Sequence, residues 1–172
     1  MTYISMILEP KDHERAVNQG RHRRQTCIQQ NKIQRNNFVG TEDTKLKNDI
    51  VGAIGELCVA KYLGMEHLVF EELDEYRGSV DLPPNIDIKN TNGHGRRLII
   101  YLNDNPGKIF VSCTYEEPET RIHGWCFGHE MMTKQFIDDP QGTNRPAYFI
   151  RQAYLRPMAE LRSYLLSLGF AK

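Results

Sequence analysis

Residues 79–91 read SVDLPPNIDIKNT, and this stretch forms the centre of the predicted sheet. Two short segments with strand character, residues 79–82 and 86–90, flank a turn that contains two prolines. Because side chains alternate along a strand, Asp87 and Lys89 are predicted to point to one side of it and the isoleucines beside them to the other. Asp81 precedes the turn and is predicted to lie on the neighbouring strand. The stretch therefore predicts two carboxylates and one ammonium close together on a hairpin.

Carboxylate oxygens of this kind suit Mg²⁺ or Mn²⁺, which bind one or two carboxylates together with water and a substrate phosphate. The ammonium of Lys89 would then stabilise developing negative charge or hold an attacking water. Taken singly, the residues are unspecific, since Asp81 also fits a turn at a strand end and Lys89 a solvated strand. Their combination predicts a site where a divalent cation generates and orients a nucleophilic water.

A helix is predicted from Thr41, which is a plausible N-cap, to a stop at Gly64. Glu56 is unusual in this helix because its helical neighbours are small or apolar, and an unpaired charge there is costly. Gly52 and Gly55 each cost roughly 1 kcal/mol of helix propensity, so they indicate close packing against a sheet. Glu56 is therefore predicted to face a cation, which is either a metal ion or a basic side chain in a structural ion pair.

Further short apolar segments predict more strands in the centre of the chain. These predicted strands cover residues 67–70, 97–102, 109–114 and 122–128. A short helix is predicted over residues 130–136, and a last helix between Pro157 and Gly169. Helices at both ends and strands between them indicate an α/β (α+β) domain with a central mixed sheet flanked by helices. The length of 172 residues fits one domain.

Basic residues are concentrated between residues 11 and 35, although Lys plus Arg and Asp plus Glu are equal at 22 each in the whole chain. Residues 10–36 are predicted to form one or two helices, broken at Gly20. One interpretation is a solvated helix. The other is a surface that contacts nucleic-acid phosphates, centred on Arg21, Arg23 and Arg24.

Two weaker features lie later in the chain. Arg96 and Arg97 follow a glycine-containing turn and are candidates for contacts to backbone phosphate, with solvated strand bases as the alternative. An apolar stripe on the last helix predicts either core packing or a homodimer interface. Its members are Leu161, Tyr164, Leu165 and Leu168.

The composition indicates a cytoplasmic protein. Residues 1–10 lack the basic and apolar regions of a signal peptide. The longest strongly apolar run, residues 98–102, is too short to cross a membrane, so no membrane partner is expected. The four cysteines are widely spaced and show no zinc-ligand pattern, which predicts free thiols in a reducing compartment.

At residues 52–56, 80–81 and 87–89 the sequence resembles the PD-(D/E)XK nuclease superfamily, and more narrowly small phage and prophage-type nucleases of that fold. The matching segments are GAIGE, VD and DIK, and the resemblance covers roughly residues 49–157. It implies a restriction-endonuclease-like core and a DNA-cleaving enzyme that uses Mg²⁺ or Mn²⁺ in a bacterial or phage-infected cell. Val80 replaces the proline of the motif, and Asp87 replaces the commoner glutamate, which shortens the arm that reaches the metal.

The same resemblance implies roles for individual residues. Asp81 and Asp87 are implied metal ligands, with help from the Ile88 carbonyl. Lys89 is implied as the catalytic lysine, and Glu56 as the helix acid that completes the metal site. The predicted layout is a basic helical arm at residues 1–40, a nuclease-like core at 41–157 and a C-terminal helix at 158–172. Two alternatives stay open: a catalytically silent nucleic-acid-binding or regulatory protein, and an assembly protein that dimerises through its last helix.

Overall fold

The computed structural model describes residues 3–30, 40–70, 80–140, 142 and 144–170. This part of the chain contains two β-sheets and several helices. In chain order its elements are β1 (Ile4–Ile7), α1 (Pro10–Gln29), α2 (Glu42–Leu63), β2 (Ile86–Asn92), β3 (Leu98–Tyr101), β4 (Ile109–Glu116), β5 (Glu119–Phe127), α3 (Gly128–Met131), β6 (Ile137–Asp138), β7 (Ala147–Ile150) and α4 (Met158–Ser167), with 3₁₀ turns at Lys134–Phe136 and Gln152–Tyr154.

The main sheet has the strand order β1-β5-β4-β2. Strands β2 and β4 are parallel, while the β4–β5 and β1–β5 pairs are antiparallel. A second, antiparallel sheet has the order β3-β7-β6. The predicted α+β class with a mixed sheet flanked by helices is therefore confirmed. Strand β2 is an edge of the main sheet, and the hairpin that carries Asp81 lies beside this edge.

The main sheet buries apolar side chains on both faces. On one face, Ile86 and Ile88 of β2 join Ile54 and Leu57 of α2 in the larger core cluster. On the other face, Phe110 packs with side chains of the second sheet in a smaller cluster. Because residues alternate along β2, the side chains of Asp87 and Lys89 point away from α2. The position of the Lys89 ammonium, 5.5 Å from the centre of the Phe110 ring in the smaller cluster, confirms the predicted separation of Lys89 from the two isoleucines.

Helix α2 has the predicted ends and the predicted contact with the sheet. The side chain of Thr41 accepts a hydrogen bond from the backbone N–H of Thr44, and Gly64 ends the helix in the left-handed conformation. A Cβ atom at Gly55 would lie 2.5 Å from the side-chain amide of Asn90 on β2. At Gly52 a Cβ atom would meet nothing within 4 Å, so the predicted packing reason applies to Gly55 and not to Gly52.

Helix α1 packs against α2, which corrects two predictions about the N-terminal segment. The helix runs unbroken through Gly20, because this glycine is where α1 approaches α2: a Cβ atom there would lie 2.5 Å from the Cα of Ile50. The helix is also solvated on one side only, since Ala16 and Arg24 are buried in the contact. The predicted helical segment extends to residue 36, whereas α1 ends at Gln29. Residues 31–36 lie outside the described part of the chain.

Several predicted strand and helix boundaries differ from the structure. Residues 67–70 form turns instead of a strand, and in 79–82 only Leu82 pairs, through an isolated bridge to Ile86, while residue 79 is not among those described. The helix predicted at 130–136 is divided between α3 and a 3₁₀ turn. Strand β1 was not predicted at all. These short segments depend on pairing with distant residues, which local sequence patterns do not report.

The apolar stripe of the last helix mostly faces the molecule's own core. Leu161 and Leu165 are fully buried in the larger cluster, whereas Tyr164 and Leu168 are 39% and 47% exposed. The buried pair therefore confirms the core-packing interpretation for Leu161 and Leu165, and the homodimer stays a prediction for the exposed members of the stripe. In the described residues, Cys27, Cys58, Cys113 and Cys126 are free thiols, as predicted. No helix of the described residues is long and apolar enough to cross a membrane.

Candidate active site

Asp81 and Asp87 are brought together by the proline turn, as predicted. Leu82 and Ile86 form an antiparallel bridge that closes the turn between the two aspartates. The backbone N–H of Ile88 donates to Oδ2 of Asp81 at 2.6 Å. This bond fixes the Asp81 carboxylate at the backbone of β2, at the residue that follows Asp87.

Asp87 and Lys89 form an ion pair on the face of β2 that points away from α2. The Lys89 Nζ lies 3.2 Å from Oδ1 of Asp87 and 3.1 Å from Oδ2 of Asp104. It also lies 5.5 Å from the centre of the Phe110 ring. Burial acts to lower the pKa of Lys89, but Asp87 and Asp104 outweigh it and raise this pKa above its ordinary value. Lys89 is therefore a firmly charged ammonium at neutral pH.

A second lysine, Lys108, binds the other oxygen of Asp87. Its Nζ lies 2.8 Å from Oδ2 of Asp87, and both side chains are buried. Lys108 immediately precedes β4, and the parallel register of Ile86 with Ile109 places it next to Asp87. The Asp87 carboxylate thus has one lysine on each oxygen.

Glu56 is neutralised by a side chain from α1. The two terminal nitrogens of Arg23 lie 2.6 Å from the two carboxylate oxygens of Glu56. Such a bidentate pair has the geometry of the strongest charged hydrogen bonds in proteins. Burial acts to lower the pKa of Arg23, and the charge of Glu56 outweighs it, so the pKa is raised. The prediction that Glu56 faces a cation is confirmed for a basic side chain of the same protein.

The buried and acidic surroundings of Asp81 disfavour its charged form. Burial raises the pKa of its carboxyl group from 3.8 to about 8, with further contributions from the charges of Glu56 and Asp87. The hydrogen bond from Ile88 and the charge of Arg23 oppose this rise but do not cancel it. Within the described residues, no salt bridge joins Asp81 to a basic side chain. The three acids therefore form one interacting cluster, in which Asp81 is the acid without a salt bridge to a described basic side chain.

A divalent cation at this cluster would compete with internal cations, because Arg23 binds both oxygens of Glu56, and Lys89 and Lys108 bind those of Asp87. Mg²⁺ is commonly held by one or two carboxylates together with water and substrate phosphates. Asp81 and Asp87 provide two carboxyl groups, and the pKa of Asp81 is raised chiefly by burial, with contributions from the charges of Glu56 and Asp87. Among the described side chains, however, no three His, Cys, Asp or Glu residues are grouped so that they could hold a metal ion together. The predicted set of three acidic metal ligands is not assembled, because Arg23 binds Glu56 on both oxygens.

The predicted nucleic-acid-binding arginines differ in their surroundings. Arg21 is exposed on α1, whereas Arg23 binds Glu56. Arg24 is buried, and its guanidinium lies 3.2 Å from Glu42 and 3.8 Å from Asp49, so it holds α1 against α2 instead of facing solvent. Of the two later candidates, Arg96 and Arg97 are both exposed, and Arg97 lies 3.7 Å from Asp138. The predicted phosphate-binding surface on α1 therefore needs correction at Arg24.

A cavity of about 530 Å³ opens on α1 beside Phe70, close to the Arg23–Glu56 pair. The guanidinium groups of Arg15 and Arg23 lie 5.3 and 5.7 Å from the centre of the Phe70 ring. The residues that line the cavity are Lys11, Glu14, Arg15, Asn18, Gln19, His22 and Phe70. This lining is mainly polar, with two basic side chains, Lys11 and Arg15, and one acidic side chain, Glu14, and Phe70 connects it to Arg23.

A separate polar network lies near the opposite end of β2. The Oγ1 atom of Thr114 lies 2.9 Å from Nδ1 of His94 and 2.7 Å from Nε2 of His123. The Nε2 atom of His94 lies 3.3 Å from Glu119. Burial lowers the pKa of His123 to about 4, so this imidazole is neutral at physiological pH. The network stabilises the β4–β5 hairpin.

Sequence reasoning missed Lys108 and Asp104, both of which contact the site. Lys108 stands directly before an apolar strand, and Asp104 lies in the turn that precedes it. Neither position differs locally from an ordinary solvated turn residue. The signal that identifies them is the parallel pairing of β2 with β4, which is a long-range property.

Comparisons with protein-family models, curated proteins and solved structures gave no match to this chain, so the functional argument depends on the site itself.

Proposed function

We propose that this protein is a metal-dependent nuclease that hydrolyses phosphodiester bonds, with DNA as the expected substrate, on a restriction-endonuclease-like core. The observation that carries the proposal is the Asp81–Asp87–Lys89 arrangement at the edge of the main sheet. Asp81 is hydrogen-bonded to the backbone N–H of Ile88, the residue after Asp87, and the charged Lys89 lies 3.2 Å from Asp87. Perturbed pKa values occur preferentially at functional sites, and the raised pKa of Asp81 supports the proposal beside this geometry.

The residues would have distinct roles in such a reaction. Asp81 and Asp87 would hold Mg²⁺ or Mn²⁺, which in such sites polarises the phosphoryl group and provides a nucleophilic water. Lys89 would stabilise the negative charge that develops on the phosphate, since its ammonium is already oriented by Asp87 and Asp104. Lys108 would hold the Asp87 carboxylate in place through its second oxygen. The free thiols fit a reducing cytoplasm, which we propose as its compartment.

The test of this proposal compares wild-type protein with Lys89→Ala on DNA in the presence of Mg²⁺ or Mn²⁺. Loss of one charge-stabilising group in an active site lowers kcat by about 10²–10³-fold. Lys134→Ala is the matched control, because Lys134 is an exposed lysine on a 3₁₀ turn. Equal cleavage by wild type and Lys89→Ala would remove Lys89 from the mechanism.

The second candidate function is a nucleic-acid-binding or regulatory protein without cleavage activity. The observation that favours it is the number of internal ion pairs, since Arg23, Lys89 and Lys108 already neutralise two of the three clustered acids. In that case DNA should bind in the presence of EDTA, and the affinity should fall steeply with salt. Binding without cleavage by any tested metal would favour this candidate over the enzyme.

A further inference from the structure

One face of helix α1 lines the cavity beside Phe70. Its polar side chains are spaced four, three and four residues apart, so they lie along one side of the helix. At a rise of about 1.5 Å per residue this row extends over roughly 16 Å. The row consists of Lys11, Arg15, Asn18 and His22. Together with Phe70 it forms an elongated groove, which we call the α1 groove.

Two basic side chains of the α1 groove have no carboxylate partner in the described part of the chain. Elsewhere on the same helix, Arg23 and Arg24 form ion pairs with acids of α2. Lys11 and Arg15, in contrast, make no salt bridge to any residue that the structure describes. Among the described residues that line the cavity, Glu14 is the acid that accompanies these two bases. An excess of positive charge in a groove favours an anionic ligand.

The guanidinium of Arg15 is held in place at the centre of this row. Its Nη2 atom donates a hydrogen bond to the backbone carbonyl of Val69 at 3.0 Å. The same group lies 5.3 Å from the centre of the Phe70 ring. An arginine has five N–H donors, so those that do not face Val69 are available to a ligand. Because its position is already fixed, Arg15 loses little side-chain freedom when it binds a phosphate.

Phe70 is the aromatic member of the α1 groove, and its backbone is strained. It has φ 57°, in the left-handed region that bulky side chains rarely adopt. Strained backbone of this kind is concentrated at positions that contact ligands. The ring is half-buried and has the guanidinium groups of Arg15 and Arg23 beside it. Aromatic rings and guanidinium planes are the surfaces on which unpaired nucleobases stack.

We propose that the α1 groove binds a single-stranded segment of nucleic acid, with phosphates at Lys11 and Arg15 and a base at Phe70. Proteins that bind single strands combine a positively charged groove with aromatic side chains on which bases stack. The amides of Asn18 and Gln19 also line the cavity, and each has the donor and the acceptor that the edge of an unpaired base requires. In a duplex the bases are stacked on one another, so their faces are not available to the groove. The inference rests on the proposed function only for the class of its partner, and it requires no metal ion.

The α1 groove adjoins the candidate active site through one side chain. Arg23 lies 5.7 Å from the centre of the Phe70 ring and forms an ion pair with Glu56. The charge of Glu56 in turn acts on Asp81. A strand with one base at Phe70 would therefore lie next to the arginine that pairs with the acidic cluster.

The first measurement is the affinity for a fluorescein-labelled single-stranded oligodeoxynucleotide, by fluorescence anisotropy in EDTA so that no metal-dependent cleavage occurs. Phe70→Leu keeps an apolar side chain but removes the stacking surface. It should bind about 5–150-fold more weakly than wild type, which is the effect of losing one base–aromatic stack. Phe136→Leu is the matched control, because the ring of Phe136 packs on Tyr154 outside the groove, and it should bind as wild type does.

The second measurement is the salt dependence of the same affinity. Each phosphate contact to a single strand adds about 0.7 to the slope of log K against log salt concentration. Lys11→Ala and Arg15→Ala should therefore each reduce this slope by about 0.7. Lys47→Ala and Arg162→Ala remove the same charges from exposed positions outside the cavity, and they should leave the slope unchanged. Because Lys11 is exposed on α1, its replacement tests the groove without disturbing the core.

Competitors identify what the groove recognises. A duplex of the same sequence should bind more weakly than the single strand, and polyglutamate should displace the strand poorly. A duplex that binds equally well, or polyglutamate that competes equally well, would overturn the proposal, because charge alone would then account for binding. Adenosine monophosphate that binds as tightly as the strand would also overturn it, since the groove would then take one nucleotide and not a strand.

The outcomes separate this inference from the proposed function. A strand that binds in EDTA, with the expected losses in Phe70→Leu and Lys11→Ala, would support the groove even if no metal gave cleavage. Cleavage by wild-type protein, with both variants binding the strand as wild type does, would overturn the groove and leave the proposed enzyme standing. Wild-type protein that binds no single strand in EDTA would likewise overturn the groove, and the cleavage assay would still decide the proposed function.

Discussion

Asp81 differs from the other acids of its cluster in having no salt bridge to a described basic side chain. Glu56 is paired with Arg23, and Asp87 is paired with Lys89 and Lys108. The result is a carboxyl group whose pKa is raised from 3.8 to about 8 by burial and by its acidic neighbours. Such perturbed pKa values occur at functional sites and also in structural ion-pair networks, and ionisation of such a group costs stability.

Replacement of Asp81 by asparagine should therefore change how stability depends on pH in metal-free buffer. Between pH 3.8 and about 8 the folded chain retains a proton on Asp81 that the unfolded chain has lost. The contribution of Asp81 to the free energy of unfolding consequently falls as the pH rises through this range. Asp81→Asn should remove that contribution, so its melting temperature should exceed that of wild type at pH 8 and approach it at pH 4.

Thermal unfolding across this pH range, in EDTA, is the measurement. Asp138→Asn, at an exposed aspartate, should follow the wild-type curve. If Asp81→Asn had the same melting temperature as wild type at every pH, Asp81 would not be protonated in the folded protein. In that event the pKa of Asp81 would no longer support the proposed site.

At the scale of the element, α2 shows how one helix position serves close packing and another does not. Gly55 faces β2, where Asn90 lies against it and donates its side-chain N–H to the carbonyl of Val51 at 2.7 Å. Gly52 lies one turn earlier on the same helix, with open space where a Cβ atom would be. The approach of the helix to the edge strand is therefore set at Gly55, and this approach brings Glu56 to the acidic cluster.

The two glycines should respond in opposite directions to the same substitution. Gly52→Ala should stabilise the protein by about 1 kcal/mol, because alanine is the better helix former. Gly55→Ala should destabilise it, because the new Cβ atom would lie 2.5 Å from the Asn90 side chain. Chemical denaturation of both variants measures the difference, and equal shifts of one sign would show that α2 does not approach β2 as closely as described.

The hairpin of β4 and β5 contains a histidine that should make the sheet sensitive to acid. Burial lowers the pKa of His123 from 6.5 to about 4, and the neighbouring His94 and Arg121 add to this effect. Between these pH values the unfolded chain binds a proton that the folded chain does not. The contribution of His123 to the free energy of unfolding is therefore complete above pH 6.5 and decreases as the pH falls towards 4.

His123→Gln should weaken this loss of stability while keeping an acceptor for the Thr114 hydroxyl. Urea denaturation at several pH values between 6.5 and 4 measures the effect. His129→Gln is the control, because His129 is exposed and stacks on Phe127 at the end of the same hairpin. An acid dependence that is identical in wild type and His123→Gln would show that other groups account for it.

At the scale of the whole molecule, α4 is part of the central core. Leu161 and Leu165 join the cluster that α2 forms with the main sheet, and the indole N–H of Trp125 donates to the carbonyl of Pro157, just before α4, at 3.0 Å. Strand β5 and α4 are thus held together by a hydrogen bond and by apolar packing. A dimer through this helix would have to use its exposed residues, among them Tyr164 and Leu168.

Substitutions along α4 should separate these two roles. Leu165→Ala should lower the free energy of unfolding by about 2–5 kcal/mol, as expected for a buried leucine. Leu168→Ala should change it little, because Leu168 is 47% exposed. Light scattering of a Leu168→Lys variant tests association: a mass that falls relative to wild type would identify the exposed side of α4 as an interface.

The sequence by itself determined the features that depend on neighbours a few residues apart. The alternation in residues 86–90 placed Asp87 and Lys89 together, the two prolines placed Asp81 beside them, and the cap at Thr41 and stop at Gly64 defined α2. The anomaly of a charged Glu56 among small apolar residues also correctly indicated a cationic partner. Each of these conclusions follows from backbone geometry and side-chain periodicity, which act over one or two turns of chain.

Only the tertiary structure decided which charges meet across the fold. Arg23 reaches Glu56 because α1 packs on α2 at Gly20, and Lys108 reaches Asp87 because β4 pairs with β2 in parallel register. Both contacts join residues more than 20 positions apart. Ion pairing is specified by distance in space, and helix docking and strand register set that distance. For that reason the sequence predicted the acids and the lysine of the candidate site, and the fold supplied the basic residues that hold them.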